Sequence, residues 1–180
     1  LLRARVIAGS PDLVSKFTKL IDSYRYPTDV EQSAITEIRR IKARVENERL
    51  PYGADPTRNT KLGRGSLSDV EWLVQLLQLQ WGSAEPSLRS ASTIDALDAL
   101  IAAGKLSESD GAELREAWLI ASRIRSATTL FTGKNSDAVP VDRYELEGVA
   151  RIMAYAPGAS STLENDYLRI TRRARQVFEE

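Results

Sequence analysis

The 180 residues include no cysteine and no histidine. Those two absences remove a large part of protein chemistry. No disulfide, thiolate or imidazole metal site, cysteine nucleophile or Ser-His-Asp triad can be built here. Any metal would have to sit among carboxylates, as a hard ion such as Mg2+ does. An excess of one charge is missing too, since 25 Lys and Arg stand against 25 Asp and Glu. That balance argues against nucleic acid and against an anionic membrane as partners, both of which select basic surfaces. No apolar run approaches the roughly 18 residues needed to span a bilayer, and no secretory signal opens the chain. The expected setting is cytoplasmic, with which the lack of cysteine agrees. The chain opens on Leu1-Leu2-Arg3, and its single methionine is Met153. It therefore reads as a piece of a longer polypeptide, some of whose catalytic parts lie outside it.

What is present is helical pattern. Hydrophobic residues make up 42% of the chain, enough for a core without covalent staples. Leu1 to Ala8 reads as the end of a helix closed by Gly9. Ser10-Pro11 starts the next, with Leu13, Val14, Phe17, Leu20 and Ile21 forming one apolar stripe, and Pro27 stops it. A second long helix is expected from Asp29 to Leu50. Residues 51–65, broken by Pro51, Gly53, Pro56, Asn59, Gly63 and Gly65, read as a long irregular loop. Ser66 or Ser68 then opens a helix to Trp81 that is apolar nearly all round, Ser68 and Glu71 fitting a capping box. Further helices are expected from Ser92 or Thr93 to Ala103, from Ser107 past Leu130, from Asp142 to about Tyr155, and from Ser161 onward, where Glu164 would complete another capping box. The sum is an all-α protein: a helical bundle of about seven helices with no sheet, in a single domain over 1–180.

Four groups of residues invite a chemical reading. Gly65-Ser66 followed by Asp69 and Glu71 has the look of a nucleotidyltransferase signature. That chemistry needs its acidic pair on a strand, where i and i+2 share a face. On a helix they diverge by about 200°, so the two acids are expected to satisfy free amides and the helix dipole instead. Lys61-Leu62-Gly63-Arg64-Gly65 places two cations among glycines ahead of a helix, which is either an anion site or a solvated turn. Arg39, Arg40, Lys42 and Arg44 read mostly as an exposed face neutralised by Lys42–Glu46 and Arg44–Glu48 pairs. The run Arg172, Arg173, Arg175 is partly offset by Glu179 and Glu180. Trp72, Trp81 and Trp118 are expected as core anchors.

Lys61 to Trp72, continued by Val74-Gln75-Leu76-Leu77-Gln78-Leu79-Gln80, resembles a known family. So do Arg39 to Val45, Ala121 to Ala127, Glu145 to Arg151, and Asp166 to Arg169 with Thr171 to Arg175. The chain is similar to the C-terminal helical region of bacterial, actinobacterial-type, glutamine synthetase adenylyltransferases, along its whole length. The resemblance implies a helical domain that follows a nucleotidyltransferase core and packs on it. Such enzymes transfer AMP from ATP to a tyrosine of glutamine synthetase, and a second half removes it. It further implies ATP and Mg2+ as cofactors of the full enzyme, with none held by this piece alone. Glutamine synthetase and the nitrogen-signalling regulatory protein are the implied partners, with no nucleic acid and no membrane. No catalytic residue and no metal ligand is assigned within the chain, since no strand-borne Gly-Ser and Asp-x-Asp is found. Lys61, Gly63, Arg64 and Gly65 are the candidate nucleotide-binding loop, and Asp69 and Glu71 its support. The alternative is a regulatory interaction module for glutamine, the signalling protein or glutamine synthetase.

Overall fold

The computed structural model describes residues 2–179. Among them stand seven α-helices: α1 Pro11–Arg25, α2 Gln32–Glu48, α3 Leu67–Trp81, α4 Thr93–Ala102, α5 Glu108–Thr132, α6 Arg143–Ile152 and α7 Ser160–Glu179. Pro86–Leu88 adds one turn of 3-10 helix. No strand forms among the described residues; the only extended pairing is an isolated antiparallel bridge between Asn59 and Ala138. The all-α reading holds.

Most helix starts follow from short polar side chains. Ser10 accepts the Leu13 amide with Pro11 in the first turn of α1. Ser92 accepts the Asp95 amide at 3.4 Å, Ser107 the Asp110 amide at 3.0 Å and Asp142 the Glu145 amide at 2.9 Å. Gly104 and Gly133 follow α4 and α5 with φ of +65° and +69°, the left-handed turn that frees the chain from a helix.

Several expectations need correcting. Leu2–Ala8 is not helical; its polar groups meet the neighbouring helices, Arg3 pairing with Glu71 at 3.0 Å and the Ala4 carbonyl accepting from Arg25 at 2.8 Å. Leu1 lies outside the described residues. The capping box of Ser68 and Glu71 does not form, because α3 already begins at Leu67 and the Ser68 amide donates to the Lys61 carbonyl at 2.9 Å. Ser161 likewise lies inside α7, and Glu164 is engaged by Arg58. In α3 the line Leu67, Val70, Val74 and Gln78 is buried, with Ser68 and Asp69 beside it in the first turn, while the other leucines are half-covered. Trp81 is 41% exposed, its ring covered on one face by the Lys105 ammonium at 3.9 Å. Trp72 and Trp118 are half-buried. Of the five stripe residues on α1, only Ile21 is buried.

The chain gathers into two compact units, Leu1–Lys42 with Glu71–Gly111, and Ala43–Val70 with Ala112–Glu180. In the first, the Tyr26 ring is buried beneath the guanidinium groups of Arg25 and Arg89, at 5.1 and 5.0 Å. Gly82 lies against it, and a Cβ there would come within 2.5 Å of the ring. The buried Gln78 amide donates to the carbonyls of Leu88 and Ser90 at 2.6 and 2.8 Å, which is why a polar residue can occupy an inner position of α3. In the second unit Leu114, Ala117, Ala121 and Ile124 of α5, Val149 and Ala150 of α6, and Leu163, Tyr167 and Ala174 of α7 are buried.

Candidate functional site

The loop ahead of α3 belongs to the second unit, and its shape begins with Asn59. The Asn59 side-chain oxygen accepts the backbone amides of Lys61 and Leu62 at 3.0 and 2.7 Å, closing a tight turn. Its backbone carbonyl accepts the Gly63 amide at 3.0 Å. A side chain at Gly63 would place its Cβ 2.1 Å from that same carbonyl, so the turn requires glycine. Ser66 donates its hydroxyl back to the Gly63 carbonyl at 2.9 Å. The Thr60 amide donates to the Asp137 carbonyl at 2.7 Å, and the Val139 amide to the Arg58 carbonyl at 2.8 Å, so the 137–139 segment holds the loop from a second side.

Helix α7 holds it from a third. The Tyr167 hydroxyl, buried, donates to the Asn59 carbonyl at 3.1 Å. Burial raises its pKa above the ordinary tyrosine value, the nearby Ser66 hydroxyl opposes that and the Asp69 charge adds to it, so the group is a fixed neutral donor. Gly65, at φ +71°, runs so close to α7 that a Cβ would lie 1.8 Å from the Thr171 carbonyl. Asp69, fully buried, accepts the Gly65 amide at 2.7 Å and the Arg175 guanidinium at 2.9 Å. Arg175 also donates to Glu46 at 2.9 Å and to Glu179 at 2.7 Å. Burial works against its charge, but the hydrogen bonds to Asp69, Glu179 and Glu46 prevail and hold the guanidinium protonated. Arg58 closes the far end, donating to Glu164 of α7 and to the Pro140 carbonyl, the latter at 2.7 Å.

This geometry separates the four loop residues singled out in the sequence. Gly63 and Gly65 are buried and their amides are engaged by Asn59 and Asp69. Lys61 and Arg64 are exposed. The Lys61 ammonium stands 3.9 Å from Asp137, whose carboxylate is held more tightly by Arg125 at 2.6 Å. What the loop turns outward is thus two cationic side chains on a backbone fixed from three directions. Asp69 lies at the loop; Glu71, one strand-step but not one helical face away, pairs with Arg3 instead. The α2 cluster also differs from expectation. Arg39 and Arg40 are exposed, but Lys42 is buried rather than solvated; Glu46 also accepts from Arg175.

The sequence assigns no site role to Arg58 or Tyr167, and marks Asn59 only as a breaker of the loop. Asn59 carried a usable signal, an Asx residue two positions ahead of a Gly-rich turn. Arg58 and Tyr167 carried none, since each acts on residues about a hundred positions away.

The family model described as GlnD PII-uridylyltransferase matches residues 37–180. The chain belongs to that family. It is 58% identical over 179 residues to the bifunctional glutamine synthetase adenylyltransferase/adenylyl-removing enzyme of Leifsonia xyli subsp. xyli, covering 99% of this chain and 18% of that protein. The corresponding protein of Streptomyces avermitilis is 54% identical over 181 residues, 100% of this chain and 18% of its own length. That of Mycobacterium leprae is 48% identical over 183 residues, again 99% and 18%. The chain therefore spans about 18% of the length of these curated relatives, and the resemblance to actinobacterial adenylyltransferases extends over all of it.

No group of three or more acidic side chains gathers as a metal nest among the described residues. Of the carboxylates around the loop, Asp69 and Glu46 face Arg175 and Asp137 faces Arg125. These residues, already paired with arginine, do not fit an Mg2+ site.

Proposed function

We propose that the chain is the helical domain accompanying the nucleotidyltransferase core of a glutamine synthetase adenylyltransferase, a protein that transfers AMP from ATP to a tyrosine of glutamine synthetase and, in its other half, removes it. Within that protein the loop at 59–66 serves as a rigid carrier of Lys61 and Arg64, directing both cations at the triphosphate of ATP held on the core. Charge gathers on the departing pyrophosphate as AMP is transferred, and fixed cations stabilise it without reorganising at the moment of reaction. The observation that carries this reading is the triple fastening of the loop by Asn59, by the 137–139 segment and by α7, which leaves its two cations outward. The names of the relatives support the reaction class. The chemistry itself belongs to the core, so this piece alone transfers no AMP. Glutamine synthetase is the substrate in this reading, the nitrogen-signalling protein a regulator, and the setting cytoplasmic.

The test is Lys61→Ala in the full-length protein. The side chain is exposed and only loosely paired, so folding is unaffected, and kcat/KM for AMP transfer should fall about tenfold or more, the worth of a charge-assisted contact to phosphate. An unchanged kcat/KM at unchanged stability defeats the reading. A second reading, a docking module for a regulatory protein, is favoured by one observation: Leu13, Phe17, Leu20 and Tyr24 lie exposed along α1.

A further inference from the structure

Beside the loop a cavity of about 320 Å³ opens between Arg64 and α7, where Leu168, Arg172, Arg175, Gln176 and Glu179 line it. Their spacing along α7 puts these five on one helical face. The charges in this lining are unevenly matched. Glu179 is engaged by Arg175 Nε at 2.7 Å, and Arg175 Nη1 is engaged by Asp69 and Glu46. Arg64 and Arg172 are exposed and form no ion pair among the described residues. Two guanidinium groups on one cavity without counter-charges of their own repel each other, and an anion between them relieves that. Guanidinium favours oxyanions that accept two parallel N–H bonds, above all phosphate.

The rest of the lining narrows the class. It holds no aromatic ring and one leucine, so a nucleobase would find nothing to stack on. The volume stands at the small end of ligand cavities, which run from about 300 Å³ upward. Arg172 comes from α7 and Arg64 from the loop, so the cations approach from two sides, an arrangement suited to a linked pair of phosphates. Lys61 does not line the cavity and lies instead towards Asp137.

We infer that Arg64 and Arg172 form a polyphosphate-binding cleft, with the amide of Gln176 as a further donor, that grips a pyrophosphate unit and leaves the rest of its carrier outside. The assignment rests on the reading of the loop as a phosphate-facing element and adds to it Arg172, a residue of α7. The pyrophosphate unit can be the tail of a nucleoside triphosphate or free pyrophosphate.

Arginine-directed labelling of the full-length protein with phenylglyoxal, read residue by residue by peptide mass spectrometry, tests this without altering the fold. Pyrophosphate should slow the labelling of Arg64 and Arg172 about fivefold or more, as occupancy of a guanidinium by phosphate requires, and leave Arg173, exposed on α7 but outside the cavity, unchanged. Equal protection by ATP assigns the cleft to a triphosphate tail; protection by pyrophosphate alone assigns it to the free anion. Protection by AMP as strong as by pyrophosphate, or equal labelling of all three arginines with and without pyrophosphate, overturns the inference. Arg172→Ala should weaken pyrophosphate binding about tenfold where Arg173→Ala, with the same change of charge, does not. Should these measurements fail while Lys61→Ala still lowers kcat/KM, the cleft is wrong and the reading of the loop stands.

Discussion

Helices α1 and α7 look alike in the sequence and differ in the structure. Both repeat apolar residues at three- and four-residue intervals, and both carry charge on the opposite side. In α7 the stripe Leu163, Tyr167, Ile170, Thr171 and Ala174 is buried. In α1 only Ile21 is, while Leu13 and Leu20 are 63% and 60% exposed. Periodicity identifies a face that gains by leaving water; it does not say what covers it. The difference lies in the polar additions. Along α7 the Tyr167 hydroxyl meets the Asn59 carbonyl, the Thr171 carbonyl lies against Gly65 and the Arg175 guanidinium meets Asp69 at the start of α3, so the apolar stripe and the polar contacts fix one register together. On α1 the polar contacts to other parts of the unit, Asp22 to Arg89 at 3.8 Å and Arg25 to the Ala4 carbonyl at 2.8 Å, gather at the last turn, beyond the exposed part of the stripe.

That contrast can be broken most severely at Gly65. Gly65→Ala forces a Cβ into the Thr171 carbonyl and an unfavourable φ at once, and should cost about 3 kcal/mol or more of unfolding free energy in urea. A loss below about 1 kcal/mol would mean that loop and helix are not in contact. Asp69→Asn comes next. It keeps an acceptor for the Gly65 amide but removes the buried charge facing Arg175. Because Glu46 and Glu179 still neutralise Arg175, the expected loss is about 2 kcal/mol rather than the full cost of stranding a buried cation. The smallest effect is expected on α1, where Leu20→Gln should change stability by less than about 0.5 kcal/mol. A loss above about 1.5 kcal/mol would show that Leu20 is covered after all.

The helices were legible because their determinants are local. Ser10-Pro11, Ser92, Ser107 and Asp142 mark starts by satisfying amides two or three residues on, and every such signal lies within reach of one turn. The two capping boxes that failed show the limit of local reading. Ser68 and Ser161 are followed by the right residues, but the amides concerned had better partners: the Lys61 carbonyl for Ser68, and a helix already under way for Ser161. The site was legible in part. Gly63 and Gly65, with the cations Lys61 and Arg64, stand out as a breaker-rich segment. Which of them face outward does not, because that is decided by Tyr167 and Arg175, more than a hundred residues further on. Lys42 misled for a related reason: a lysine four residues before a glutamate fits an exposed helical pair, yet its position on α2 turns inward.

The bare backbone at Gly65 has a mechanical consequence. With its amide tied to Asp69 and the Thr171 carbonyl where a side chain would be, the loop tip has no slack against α7. A displacement of α7 towards the loop therefore meets the Gly65 backbone directly, with no side chain between them to absorb it.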